Sequence, residues 1–159
     1  MLVFSFSVLL LELNVAAASV SSLMGARDGT HLTQAQAEAL LIPAGITAFS
    51  TGGCTDKNKS TCTSYEGIRS STVNGVITLK QASGSSSLVI TGGTEVGHAS
   101  GTYSHANGYK VDVRHASVVD NYIKTHFTRI ANRDGYPQWQ AASGNIYCDE
   151  GSHWDITYY

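Results

Sequence analysis

Among the six histidines of the chain, His105 and His153 stand in patterns whose residue types and spacing suit metal chemistry. One pattern is Ser104-His105-Ala106-Asn107-Gly108-Tyr109-Lys110-Val111-Asp112, and the other is Glu150-Gly151-Ser152-His153-Trp154-Asp155. Residues 108–114 alternate, so they predict a strand with Tyr109, Val111 and Val113 on one face and Lys110, Asp112 and Arg114 on the other. His153 opens a second strand, in which His153 and Asp155 face away from Trp154 and Ile156. Antiparallel pairing of these strands puts Asp112 and His153 on one face, with His105 just ahead of the first strand. Two imidazoles and one carboxylate make a common catalytic zinc set, with a fourth position left for water. Zinc lowers the pKa of that water toward neutrality. Glu150, three residues before His153, is placed to take the proton and return it to a leaving amine. The same ligands also suit iron in a facial triad.

Several neighbours have secondary roles. His98, seven residues before His105, reads as a supporting or transition-state group, and Asp155 as the partner that orients the His153 ring. Ser104 reads as a turn support. A Ser104-His105-Asp112 triad fails because adjacent Ser and His side chains do not converge on one substrate. Trp154 is expected in the core, while His31, His115 and His126 read as surface residues and Tyr158-Tyr159 as a sheet edge.

The two motifs together, S-H-x-x-G-x-x-x-D and E-x-x-H-W, resemble the D-alanyl-D-alanine carboxypeptidase family. That family includes the vancomycin-resistance D,D-peptidases and phage endolysin peptidases, and shares its fold with the hedgehog signalling domain. The likeness spans about residues 32–158. It implies one Zn2+ ion on His105, Asp112 and His153, with Glu150 as the catalytic base. It also implies a secreted peptidase that hydrolyses an amide bond in peptidoglycan-type peptides. Two departures stand out. Lys110 replaces a small residue two positions before the strand aspartate, and Thr91-Gly92-Gly93-Thr94-Glu95 lacks the arginine that the D,D-peptidases use on a terminal carboxylate. Arg69 or Arg114 is the available substitute. The second reading is an extracellular module that keeps its metal but has little or no catalytic activity, used for binding or self-association.

The elements that must position these residues follow from local pattern. Thr33 and Gln36 form a capping box ahead of an Ala-rich helix that Pro43 stops. Val73, Val76 and Ile77 give a second helix over about Ser70–Ala82, with Gly75 awkward inside it. Leu88–Thr91 reads as a buried strand. Val119, Tyr122, Ile123 and Phe127 give a third helix, capped by Ser117. Strand-like pieces at 138–141, 145–148 and 153–159 follow, separated by turns at Arg133-Asp134-Gly135 and Ser143-Gly144-Asn145. Helices followed by hairpin strands predict an α+β fold with a mainly antiparallel sheet. The family resemblance makes it hedgehog/DD-peptidase-like, with helices packed on one side.

Composition bounds the rest. The formal net charge of −2 gives no basic excess for nucleic acid, and charged residues are only 14%. Residues 1–18 are mostly apolar and end in Ala16-Ala17-Ala18, which predicts a signal peptide despite the absence of Lys or Arg, with a retained buried helix or an anchor as the alternatives. Residues 19–31 then form an N-terminal extension, and 32–159 a single zinc peptidase-like domain with no stable membrane span in the mature chain. Cys54 and Cys62 bracket a polar loop and suit a disulfide, although pairing of Cys62 with Cys148 is equally legal. Asn58-Lys59-Ser60 in that loop is a glycosylation acceptor triplet.

Overall fold

The structure, a computed structural model, describes residues 29–159. The leader expected at 1–18 and most of the extension at 19–31 lie outside the described residues. Three helices stand among the described residues: α1 (Gln34–Leu41), α2 (Ser70–Ser83) and α3 (Ser117–His126). Nine strands accompany them: β1 (His31–Leu32), β2 (Ile46–Ala48), β3 (Ile68–Arg69), β4 (Leu88–Gly92), β5 (Lys110–Arg114), β6 (Thr128–Arg133), β7 (Tyr136–Gln140), β8 (Ile146–Asp149) and β9 (His153–Thr157). Strands β1 and β3 pair alone, and the other seven form one sheet in the order β2-β4-β5-β9-β8-β7-β6. Only the β2–β4 pair is parallel. The fold is therefore α+β with a mainly antiparallel sheet.

Local chemistry accounts for most boundaries. The capping box forms, with the Gln36 N–H donating to Thr33 Oγ1 at 3.3 Å and the Thr33 N–H donating to Gln36 Oε1 at 2.9 Å. Helix α2 ends on Gly84 in the left-handed region, which only glycine adopts cheaply. Ser117 is the first helical residue of α3 rather than its cap, and Ala116 at the cap offers no side-chain bond.

The paired strands β5 and β9 bury one face and present the other. Val111, Val113, Trp154 and Ile156 are fully buried and pack into one cluster with Val73, Val76, Val119 and Ile123 from the helices. The Trp154 indole N–H donates to Asp120 Oδ1 at 2.7 Å, which removes the cost of burying it. Tyr158 is not an edge residue. It is 2% exposed, and its ring occupies the space that a side chain at Gly75 would take. Gly75 thus sits in α2 because a strand-end tyrosine packs on it. His115 is likewise not a free surface residue, since its ring bridges Asp120 at 3.0 Å and Asp149 at 3.3 Å.

Candidate metal centre

The face of β5 and β9 away from the core carries the candidate site. Register places Asp112 opposite Asp155, and Arg114 opposite His153. The β4–β5 ladder carries one extra residue on β4 between Ile90 and Gly92, which sets Gly92 against Asp112. A Cβ at Gly92 would lie 2.3 Å from Asp112 Oδ2, so the carboxylate keeps its position only over a glycine.

Three histidines aim a ring nitrogen at that carboxylate. His105 Nε2 lies 3.4 Å from Asp112 Oδ1, His153 Nε2 lies 3.5 Å from the same oxygen, and His98 Nδ1 lies 3.8 Å from Oδ2. Each is anchored by its other nitrogen. His105 Nδ1 donates to the Gly93 carbonyl at 2.7 Å, which leaves Nε2 as the nitrogen that faces Asp112. His98 Nε2 contacts Glu95 Oε1 at 3.0 Å, and His153 Nδ1 contacts Ser152 Oγ at 2.8 Å. Asp112 itself is 8% exposed, and its Oδ1 has no hydrogen-bond partner. A buried carboxylate oxygen without a donor is costly. Tetrahedral zinc with bonds of about 2.0–2.1 Å spaces its ligand atoms about 3.3–3.4 Å apart, close to the two distances from this oxygen to His105 and His153.

The triplet whose ligand atoms all lie within 4.8 Å of one another is His98, His105 and Asp112, and this group could hold a metal ion. It differs from the expected triplet in having His98 where His153 was placed. The rings of His98 and His105 are stacked, with centroids 3.8 Å apart and planes 13° apart. An imidazole lone pair lies in the ring plane, and near-parallel planes share no point close to both rings. One ring must turn before both donate to one ion; His153 stands outside this triplet, although its Nε2 reaches the same Asp112 oxygen as His105.

Acidic groups dominate the surroundings. Asp155, buried at 7% exposure, places Oδ2 3.4 Å from His105 Nε2 and takes Lys110 Nζ on both oxygens at 2.8 and 3.1 Å. Arg133 Nη2 donates to Asp155 Oδ1 at 2.8 Å and to Glu150 Oε1 at 2.9 Å. Glu150 Oε2 lies 3.3 Å from His153 Nε2. Contacts therefore close a ring: Asp112, His105, Asp155, Arg133, Glu150, His153 and back to Asp112. With the histidines neutral, as metal ligation requires, four carboxylates counting Glu95 face two side-chain cations, and two negative charges remain to be balanced. A divalent cation would balance them; without one, a protonated His105 balances one of the two. Burial pulls the His105 pKa down, but the facing Asp112 and Asp155 carboxylates outweigh it and raise the pKa to about 9. For Asp155 burial acts upward, and His105, Lys110 and Arg133 together hold its carboxyl well below the ordinary range.

Two of these residues had no place in the sequence reading. Arg133 comes from β6, three strands from β9 in the sheet order, where a flat sheet would leave about 14 Å between them. An extra residue on β6 between Ile130 and Arg133, next to the tight Asp134-Gly135 turn, goes with a hairpin end bent back over the site face. Glu95 is 3% exposed and accepts from the backbone N–H groups of Ser64 at 2.7 Å and Gly93 at 3.0 Å while it holds His98. Its signal was present in the chain: Glu95-Val96-Gly97-His98 repeats the E-x-x-H spacing of Glu150 to His153.

The remaining expected residues are elsewhere or auxiliary. Ser104 Oγ accepts the Asn107 N–H at 3.3 Å, as a turn support does. Asp155 lies against His105 rather than holding the His153 ring. Arg69 stacks over Tyr109 at 4.0 Å and donates to the Asn107 carbonyl. Arg114 lies over the Phe49 ring at 4.6 Å and, with His153, Ser152, Thr91 and Thr61, lines a cleft of about 490 Å³. Cys54 and Cys62 form a disulfide, so Cys148 is the free, buried thiol. Asn58 is exposed in the disulfide-closed loop. Among the described residues no helix is long and apolar enough to cross a membrane.

Comparison with family models, with curated proteins and with solved structures finds no match to this chain.

Proposed function

We propose that the chain is a secreted zinc-dependent peptidase of the D-alanyl-D-alanine carboxypeptidase/hedgehog type, acting on amide bonds of peptidoglycan-type peptides. The observation that carries this reading is Asp112 Oδ1, a buried carboxylate oxygen with no donor, set 3.4 and 3.5 Å from the Nε2 atoms of His105 and His153. Those three residues would hold the ion. When bound, a zinc ion supplies an activated water and a positive charge opposite a developing oxyanion. Gly93 fixes the ring of His105 through its carbonyl. Glu150 stands beside His153 with Oε2 turned toward the site, where a carboxylate takes a proton from water and passes it to a leaving amine. Arg133 holds the other oxygen of Glu150 and so fixes its direction. The cleft beside His153 gives a substrate chain room next to the site, with the Arg114 guanidinium at its wall.

One observation favours the module without turnover: the Arg133 guanidinium already engages Glu150 Oε1 at 2.9 Å, so one oxygen of the base is taken by a side chain of the protein. Zinc content and hydrolysis of cell-wall peptides, measured on wild type and Glu150→Gln, separate the two readings. The peptidase reading expects zinc in both proteins and a loss of roughly 10²–10⁴-fold in rate for the variant. Wild-type rates in Glu150→Gln refute the proposed base, and zinc without hydrolysis in wild type favours the module.

A further inference from the structure

His105 Nε2 faces two carboxylates at the same distance, Asp112 Oδ1 and Asp155 Oδ2, each at 3.4 Å. Strand register causes this, because Asp112 and Asp155 are direct cross-strand partners. By distance alone either oxygen suits a cation held by His105. Their partners differ sharply. Asp112 Oδ1 makes no hydrogen bond, whereas Asp155 receives Lys110 on both oxygens and Arg133 on Oδ1. Lys110 lies on the same strand face as Asp112, two residues earlier, and is only partly exposed. A carboxylate shared by an ammonium and a guanidinium is a poor donor to a third cation, and it is also tethered in place.

From this we infer that Lys110 and Arg133 occupy the oxygens of Asp155 as a clamp and keep it from coordinating the bound ion, so that the fourth coordination position stays open to an outside ligand. The inference rests on the metal-site reading above and adds a role for three residues that the reading does not use as ligands. Without the clamp, the nearest anionic group to an open position is Asp155, and a carboxylate displaces water from a divalent ion. The site would then become closed, as structural metal sites are. Lys110 and Arg133 are positioning residues in this scheme, since they act through Asp155.

Cobalt(II) tests this without any assay of turnover, because its visible spectrum reports both binding and a change of ligand. Metal-free full-length protein is titrated with Co2+, and the loaded protein is then titrated with azide. Wild type is expected to bind Co2+ and to shift its bands on azide. Lys110→Met, which keeps the length of the side chain and removes the charge, is expected to bind Co2+ at least about tenfold more tightly, the low end of what outer partners do to metal affinity. It is also expected to lose the azide response, and the double variant Lys110→Met/Asp155→Asn to regain it. Where circular dichroism shows that Lys110→Met has not folded, Asp155→Asn alone decides. Co2+ affinity within about threefold of wild type, with azide binding retained, supports a clamped Asp155. A tenfold or greater loss of affinity shows Asp155 to be a ligand already and overturns the inference. A folded Lys110→Met with unchanged affinity and azide response overturns it as well, and leaves the metal reading intact because wild type has taken the ion. Failure of wild type to bind Co2+ overturns both.

Discussion

Gly92→Ala is the sharpest test of the site, because it adds one methyl group against one ligand. The new Cβ lies 2.3 Å from Asp112 Oδ2, and ordinary contact begins near 3.4 Å, so the carboxylate must withdraw by about 1.1 Å. Metal sites tolerate errors of about 0.2 Å in ligand position. The backbone at Gly92 is not in the left-handed region, so alanine adds no strain there, and the metal-free variant should fold. Zinc affinity is expected to fall at least about a hundredfold, within the range expected when a metal site is distorted. Thermal melts convert this into a readable number. At zinc one hundredfold above its own Kd, wild type gains about 2.7 kcal/mol. For a domain of this size that is roughly 10 °C in Tm. At the same zinc concentration the variant sits near its Kd and gains only about 0.4 kcal/mol, or about 1–2 °C. Gly93→Ala is the contrasting control. Its Cβ would lie 2.0 Å from the Ser64 carbonyl oxygen, a backbone atom that cannot rotate away, so that variant should lose stability with or without zinc. A Gly92→Ala protein that binds zinc within threefold of wild type, with the same rise in Tm, refutes Asp112 as a ligand.

Two further outcomes concern charge and packing. With its pKa raised from 6.5 to about 9, His105 contributes stability to the metal-free protein that is fully present below about pH 6.5 and lost as pH rises through about 9. Urea unfolding of metal-free protein at pH 6.5 and 9.5 should differ by on the order of 2–3 kcal/mol, and His105→Ala should flatten the difference. Gly75→Ala drives a methyl group to 2.2 Å from the Tyr158 ring and is expected to cost about 1–3 kcal/mol by overpacking, although alanine is the better helix former. A stabilised Gly75→Ala in the same unfolding measurement contradicts the placement of Tyr158.

Local signals carried a good part of this architecture. The capping box at Thr33 and Gln36, the alternation through Lys110–Arg114 and the alternation through His153–Ile156 are short-range patterns, and each formed where its chemistry dictates. Strand β6 was invisible because Thr128–Arg133 is exposed or half-buried along its length and has no apolar period to read. The site divides in the same way. Asp112 and His153 stand on two paired strands, His105 and Glu150 in the turns that precede those strands, and all four follow from motif spacing. Arg133 depends on a hairpin end bent across the sheet, and the approach of Asp155 to His105 depends on a register that no local pattern fixes. Glu95 was legible as the first half of a second E-x-x-H, but its burial under Ser64 was not. Tyr158 looked like an edge residue because the glycine that receives it is far away in sequence, in α2.

The distribution of acids links these observations. The whole chain holds 12 acidic residues, and four of them, Glu95, Asp112, Glu150 and Asp155, gather around one group of histidines. Three of the four contribute buried or nearly buried carboxylates, where like charges repel through a poorly screening medium. Such a concentration persists only with compensation, and Lys110 and Arg133 supply half of it. In the metal-free protein a protonated His105 supplies part of the remainder, and in either functional reading a divalent ion would take over that role, so metal content alone does not separate a peptidase from a metal-bearing module. What separates them is the state of the fourth position and of Glu150. The two cations that balance the charge also govern both, because Arg133 holds Glu150 and, with Lys110, holds Asp155. The balance between turnover and simple metal retention therefore turns on how those two side chains divide their hydrogen bonds.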